Sequence, residues 1–162
     1  MNKKPRILES TTKIRFQDCD PFNHLNNAAY INYLINARED QLIAHYGIDI
    51  YHLARTEGKS WVVGSNQIAY LKPAFLMEPV TIVSQLLRYT DSELWVEIRM
   101  LNKDKTETKA VMWSSFVHFN LLSQKREQHS PEFMQLFEDV VHPTEEQSFE
   151  QRVASFRKPK TV

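Results

Sequence analysis

The stretch 17-QDCDPFNHLNNAAYINYL-34 decides how the rest of the chain is read. Within residues 17–27 it carries two aspartates, one histidine and three asparagines, and an apolar run follows without a break. Short hydrogen-bonding side chains before an apolar run mark a helix entrance. Asn26 and Asn27 are good N-cap residues, and Ile31, Leu34, Ile35, Leu42 and Tyr46 recur near a 3.6 period. Gly47 is a natural stop, so a long helix is expected from about Asn27 to Tyr46. Its first turns are apolar almost all round, which implies a helix wrapped by other structure.

Upstream, Thr11–Gln17 alternates polar and apolar through Ile14 and Phe16 and reads as a first strand. Downstream, a loop through Gly58 leads into strand-like runs at Ser60–Tyr70, Val80–Tyr89, Leu94–Met100 and Lys109–Leu121. Pro73 and Pro79 bracket a turn before the second of these. Ser130-Pro131 reads as the N-cap and first position of a short helix carrying Phe133, Leu136, Phe137 and Val140. Thr144-x-x-Gln147 is a candidate capping box before Phe149, Val153 and Phe156, and the tail after Arg157 is expected to be mobile. One strand, one long helix, then four antiparallel strands describe the α+β class, with a sheet curled around the helix. Residues 1–141 form the expected main domain and 142–162 a C-terminal helical extension and tail.

Composition narrows the function. The chain has 162 residues, enough for one domain with a sizeable core, and is 42% hydrophobic. Lys+Arg and Asp+Glu both total 20, so the basic excess of a non-specific nucleic-acid binder is missing. Cys19 is the one cysteine, which excludes an intramolecular disulfide framework and suits a reducing compartment. The first residues lack the apolar stretch of a secretory signal, and no run approaches the ~20 apolar residues of a spanning helix. A cytoplasmic location without membrane contact is expected. Three glycines, at 47, 58 and 64, are too far apart for either Gly-rich phosphate fingerprint. The histidines at 45, 52, 118, 129 and 142 lack metal-ligand spacing, so no metal site is expected.

Asp18-Cys19-Asp20 followed by His24-Leu25-Asn26-Asn27, with 70-YLKPAF-75 after the second strand, resembles the hot-dog fold acyl-CoA thioesterases of the 4-hydroxybenzoyl-CoA thioesterase type. The first motif is also similar to the Asp-x-Asp…His-Val-Asn-Asn of plant acyl-ACP thioesterases, although Phe22 stands where those have an asparagine. The resemblance covers roughly residues 10–122. It implies hydrolysis of an acyl-CoA thioester without a cofactor, with Asp20 as nucleophile or general base and a backbone N–H near Asn27 as oxyanion donor. A helix N-terminus suits that second part, because its first amides are unpaired and its dipole is positive.

Around these, Asn26 and Asn27 would cap the entrance, and His24 would orient Asp20 or water, or bond to backbone. Asp18 reads as a loop brace and Cys19 as a small filler. Ser65 and Asn66, polar within an apolar strand, would face either the reacting carbonyl or solvent. The resemblance also implies an acyl pocket between helix and sheet, involving some of Tyr30, Ile31, Leu34 and Val63, and a homodimer or homotetramer with active sites across the subunit interface. An acyl-ACP thioesterase and a non-catalytic acyl-CoA binder are the alternatives. The acyl group stays open, since the helix admits fatty, branched or aromatic chains alike.

Overall fold

Asn26 caps the helix entrance: its side-chain oxygen accepts from the Ala28 amide at 3.0 Å, starting a 3-10 turn over Asn27–Ala29. The turn runs straight into helix α1, Tyr30–Tyr46, which ends on Gly47 at φ 68°, with the Gly47 amide bonded back to Ile43 and Leu42. The computed structural model describes residues 3–157. The tail beyond Arg157 lies outside them.

Strands β1 (Ile7–Lys13), β2 (Lys59–Tyr70), β3 (Pro79–Tyr89), β4 (Glu93–Asn102), β5 (Thr108–Asn120) and β6 (Lys125–Arg126) form one antiparallel sheet. The order is β1-β3-β4-β5-β2, with the short β6 beside β5, so β1 and β2 are its edges. Helix α1 lies across this sheet and buries Tyr30, Leu34, Ala37, Arg38 and Gln41, a stripe at helical spacing. Opposite it stand Ile82, Ile98, Met100 and Met112, each 0% exposed. Fully burying a side chain such as Leu34 is worth about 1.5–3 kcal/mol. Asn32, Asn36 and Asp40 face outward, so the stripe is one-sided within a single chain.

The first strand lies earlier than alternation suggests. It covers Ile7–Lys13, and Phe16 sits 78% exposed in a 3-10 turn over Phe16–Asp18. The ladder ends where Lys13 meets Pro79, whose nitrogen has no proton to donate. The segment before β2, read as a loop, is helix α2 at Ile50–Glu57. Asp49 caps it by accepting from Tyr51 and His52 at 3.0 and 3.1 Å, and Gly58 at φ 69° closes it.

Helix α3, Pro131–Val140, is capped as expected by Ser130, which accepts from Phe133 N–H at 3.2 Å. The chain then crosses the sheet edge beyond β1: His142 N–H donates to Leu86 O, and Gln85 donates back to His142 O. This carries helix α4, Phe149–Arg157, to the outer sheet face. There Arg152 makes two 2.8 Å bonds to Glu97, which alternation points away from its core neighbours Val96 and Ile98. Thr144 spends its hydroxyl on Glu146 O, so the expected capping box does not form. Ser148, next to the helix start, accepts from Gln151 N–H instead.

Candidate functional site

The loop before α1 is held by its own backbone. Asp20 N–H donates to His24 O at 2.8 Å, and Asn23 N–H to Asp20 O at 3.0 Å, with Asn23 at φ 64°. Asparagine tolerates that left-handed conformation better than most residues. Asp20 Oδ1 accepts from Phe22 N–H at 2.9 Å and His24 N–H at 3.1 Å. That engages one carboxylate oxygen, and Oδ2 has no donor among the described residues. Asp18 is the brace the sequence suggests: Tyr33 donates to it at 2.5 Å, and its carbonyl accepts from Asn26 N–H.

The loop is fastened to residues 73–78. Leu25 N–H donates to Ala74 O at 2.7 Å, Leu76 N–H to Asn23 O at 2.8 Å, and His24 bridges Phe75. Beneath that turn, Lys109 Nζ donates to Pro73 O at 2.9 Å and pairs with Glu78 at 3.1 Å. The other Glu78 oxygen accepts from Phe75 N–H. A charged residue inside an apolar strand pattern is the sole sequence sign of this clamp.

Asp20, His24, Asn27, Tyr30, Tyr70 and Lys72 line one cleft of about 230 Å³. The Asn27 amide, first of the helical turn, has no acceptor among the described residues, while the Asn27 carbonyl accepts from Tyr70 OH at 3.1 Å. Tyr30 OH accepts from Ala74 N–H at 3.3 Å, and burial raises its pKa, so it stays a protonated donor. The Tyr30 and Tyr70 rings meet edge to face, as do His24 and Phe75. The His24 ring makes no hydrogen bond among the described residues. Cys19 is half-buried, donates to Arg15 O and lies outside the cleft lining. Burial, then Asp18 and Asp20, raise its pKa and keep the thiol protonated. Lys72 pairs with Glu107 at 3.1 Å at the cleft wall.

The cleft thus gathers Asp20, His24, Asn27 and Tyr30, and Asn26 stands just outside as the cap. Ser65 and Asn66 are not brought to it within one chain. Ser65 Oγ bonds Ser115 Oγ at 2.8 Å and Asn66 accepts from Ser114, both cross-strand contacts on edge strand β2. A bulge at Gly64, where a Cβ would stand 2.9 Å from Ser115 Oγ, shifts the register just before them. Of the acyl-pocket candidates, Tyr30 lines the cleft, Leu34 is sealed in the core, Ile31 packs half-buried against it and Val63 is 49% exposed. Tyr70, unassigned by the sequence reading beyond its place in 70-YLKPAF-75, is a cleft residue.

Residues 14–137 match the sequence profile of the Thioesterase-like superfamily. The chain belongs to that superfamily. Long-chain acyl-CoA thioesterase FadM of Escherichia coli (strain K12) is 33% identical over 79 residues, which cover 49% of this chain and 58% of FadM. The matched region therefore spans little more than half of that relative's length. Among solved structures, the probable thioesterase YbaW from Escherichia coli is 26% identical, with a TM-score of 0.70, covering 83% of this chain and 99% of that one. DHNA-CoA thioesterase from Staphylococcus aureus has a TM-score of 0.75 at 15% identity, over 95% and 97% of the two chains. At that identity the likeness speaks for the fold alone, a curled antiparallel sheet with a long helix and a C-terminal helix. Among the described residues, no helix is long and apolar enough to cross a membrane.

Proposed function

We propose that this protein hydrolyses acyl-CoA thioesters, with Asp20 acting on the carbonyl and the Asn27 amide receiving the oxyanion. The observation that carries this reading is the Asp20 carboxylate itself. One of its oxygens is held by two amides and the other has no donor among the described residues, in a cleft that Asn27, at the first position of a helical turn, also lines. As nucleophile, Oδ2 bonds to the acyl carbon, the C–S bond breaks, and CoA leaves as thiolate and takes up a proton. Water then hydrolyses the acyl-aspartate anhydride. As general base, Asp20 takes a proton from a water whose oxygen forms the new C–O bond, the C–S bond breaks, and CoA leaves as thiolate and takes up that proton. In both routes the carbonyl oxygen gains charge while facing an unpaired amide, the kind of donor whose loss costs ~2.7–4 kcal/mol of barrier. In this reading the His24 ring, which lines the same cleft, would orient Asp20 or the water, and Tyr30 would donate to the substrate. CoA as carrier is suggested by the names of the relatives, and the cytoplasm is the setting that the single cysteine suits.

Strand β2 has an unpaired edge with Val62 and Val63 at 42% and 49% exposure. Such an edge calls for a partner, and a second copy of the chain supplies one. In a homodimer, or a homotetramer built from it, that surface would bring Ser65 and Asn66 toward the neighbouring cleft. A panel of acyl-CoAs read by thiol release, on wild type and Asp20→Asn, tests the proposal. Turnover should fall by ~10²-fold or more in the variant. Turnover unchanged in Asp20→Asn, or none by wild type on any chain length, would overturn it. A single turnover in ¹⁸O-water tests the nucleophilic route, because label enters Asp20 only when water opens an acyl-aspartate anhydride at the Asp20 carbonyl.

A further inference from the structure

Beneath the C-terminal half of α1 lies a second cavity of about 290 Å³, with no lining residue in common with the Asp20 cleft. Ile35, Leu42, Leu86, Val96, Phe116 and Phe137 form much of its wall, and the exposed Tyr51 and Val63 mark its mouth. At ~30 Å³ for each methylene-sized group, about the share of a water molecule in the liquid, it holds roughly ten carbons.

One cation lines this apolar space. Arg38 is 8% exposed, and its one hydrogen bond among the described residues runs from Nη1 to Ser84 Oγ at 2.9 Å. Ser84 passes the contact on to Gln41, whose amide is spent on Ser10 and Ile82 O. Among the described residues, no carboxylate answers the charge. Glu39 lines the same cavity, but its oxygens accept from Tyr51 OH at 3.1 and 2.8 Å. Burial pushes the guanidinium down to about 10, so it remains charged at neutral pH. A buried charge is costly unless it is paired and hydrogen-bonded. The Nε and Nη2 donors have no partner among the described residues, and neither is sealed off as Arg99 Nε is. Together they form the guanidinium edge that a carboxylate engages with two parallel bonds.

We infer that this cavity binds an aliphatic carboxylate of up to about ten carbons, its chain against the apolar wall and its carboxylate on Arg38. One negative charge balances one positive charge, and the hydrocarbon replaces otherwise empty contacts. The ligand is either a free acid or an acyl chain that carries a carboxylate at its distal end.

Calorimetric titration of the full chain with octanoate and with 1-octanol tests this without any turnover readout, so the outcome is independent of the hydrolytic proposal. Octanoate should bind at least tenfold more tightly than the alcohol, and Arg38→Met should erase that preference. Leu136→Trp, which fills the cavity from α3, should abolish binding of both, and it serves should Arg38→Met fail to fold. A parallel arm compares S-octyl-CoA, a thioether that cannot be hydrolysed, with its ω-carboxy counterpart. An Arg38-dependent gain there assigns the distal carboxylate, and a gain confined to octanoate assigns the free acid. Equal binding of acid and alcohol by wild type, a preference surviving in Arg38→Met, or octanoate binding surviving in Leu136→Trp would each overturn the inference.

Discussion

Asp20 and His24 hold each other in both directions, once through backbone and once through the carboxylate: the Asp20 amide donates to His24 O at 2.8 Å, and the His24 amide donates to Asp20 Oδ1 at 3.1 Å. The side chain proposed to do chemistry is therefore also a member of its own loop. This separates two substitutions. Asp20→Asn keeps an oxygen for the Phe22 and His24 amides and should melt close to wild type. Asp20→Ala strips both amides of their acceptor and should lose about 1–2 kcal/mol, at ~1 kcal/mol per hydrogen bond. Urea denaturation of the pair gives the answer, and equal losses in both would make Asp20's charge structural.

Lys109 and Glu78 hold the turn against which the Asp20 loop is fastened. Lys109→Met leaves Glu78 without its ammonium partner and Pro73 O without its donor. Breaking a buried pair from one side costs ~3–5 kcal/mol, and the lower end applies because solvent reaches part of Glu78. The double variant Lys109→Met/Glu78→Gln should recover part of that loss. Denaturation midpoints of the single and double variants are the measurement, and activity should follow the integrity of the turn.

His118 and His129 stack beneath α3 at a centroid distance of 5.0 Å, with Trp61 donating to His129 Nε2 and the carbonyls of Ser60 and Thr90 at their Nδ1 atoms. Burial is the main cause that lowers both pKa values, and for His129 its neighbour His118 adds to it. The unfolded chain therefore takes up protons first. Stability should be complete above the ordinary histidine value of about 6.5 and fall as pH drops below it, by at most roughly 2.7 kcal/mol per pH unit for two groups. Thermal melts from pH 7.5 to 5 should show this slope, and it should flatten in His129→Gln.

Glu97 is 1% exposed and receives Arg152, Arg99 and Trp113 together. Glu97→Gln removes the charge that ties Arg152 of α4 to the sheet and pairs with Arg99 of β4, and both guanidiniums also lie over the Phe156 ring. The expected result is release of residues 141–157 to limited proteolysis while the sheet and α1 stay protected. Protection equal to wild type would mean that apolar contacts such as Trp113 with Phe149 suffice to dock the helix.

Much of this architecture could be read before any coordinates. Asn26 and Gly47 bracket the long helix, Ser130 and Pro131 open α3, and the strands β2 to β5 fall on their alternating runs, because caps, stops and periodicity act over a few residues. Helix α2 was hidden for the same reason in reverse: eight residues are too few to display a period, although Asp49 and Gly58 stood at its ends. The first strand slid toward the N-terminus because its end depends on Pro79, far along the chain.

The amino-acid sequence by itself determined the helix entrance and the short loop that brings Asp20 to it, through bonds between residues close in the chain. Only the tertiary structure decided that Tyr70 would join that cleft, that Lys109 would clamp its floor, that Ser65 and Asn66 would stay outside it, and that Arg38 would face a cavity uncompensated. Each of these depends on which strands pair, in what register and with what curvature. Those relationships arise when distant segments compete for the same buried surface, and no local pattern encodes them.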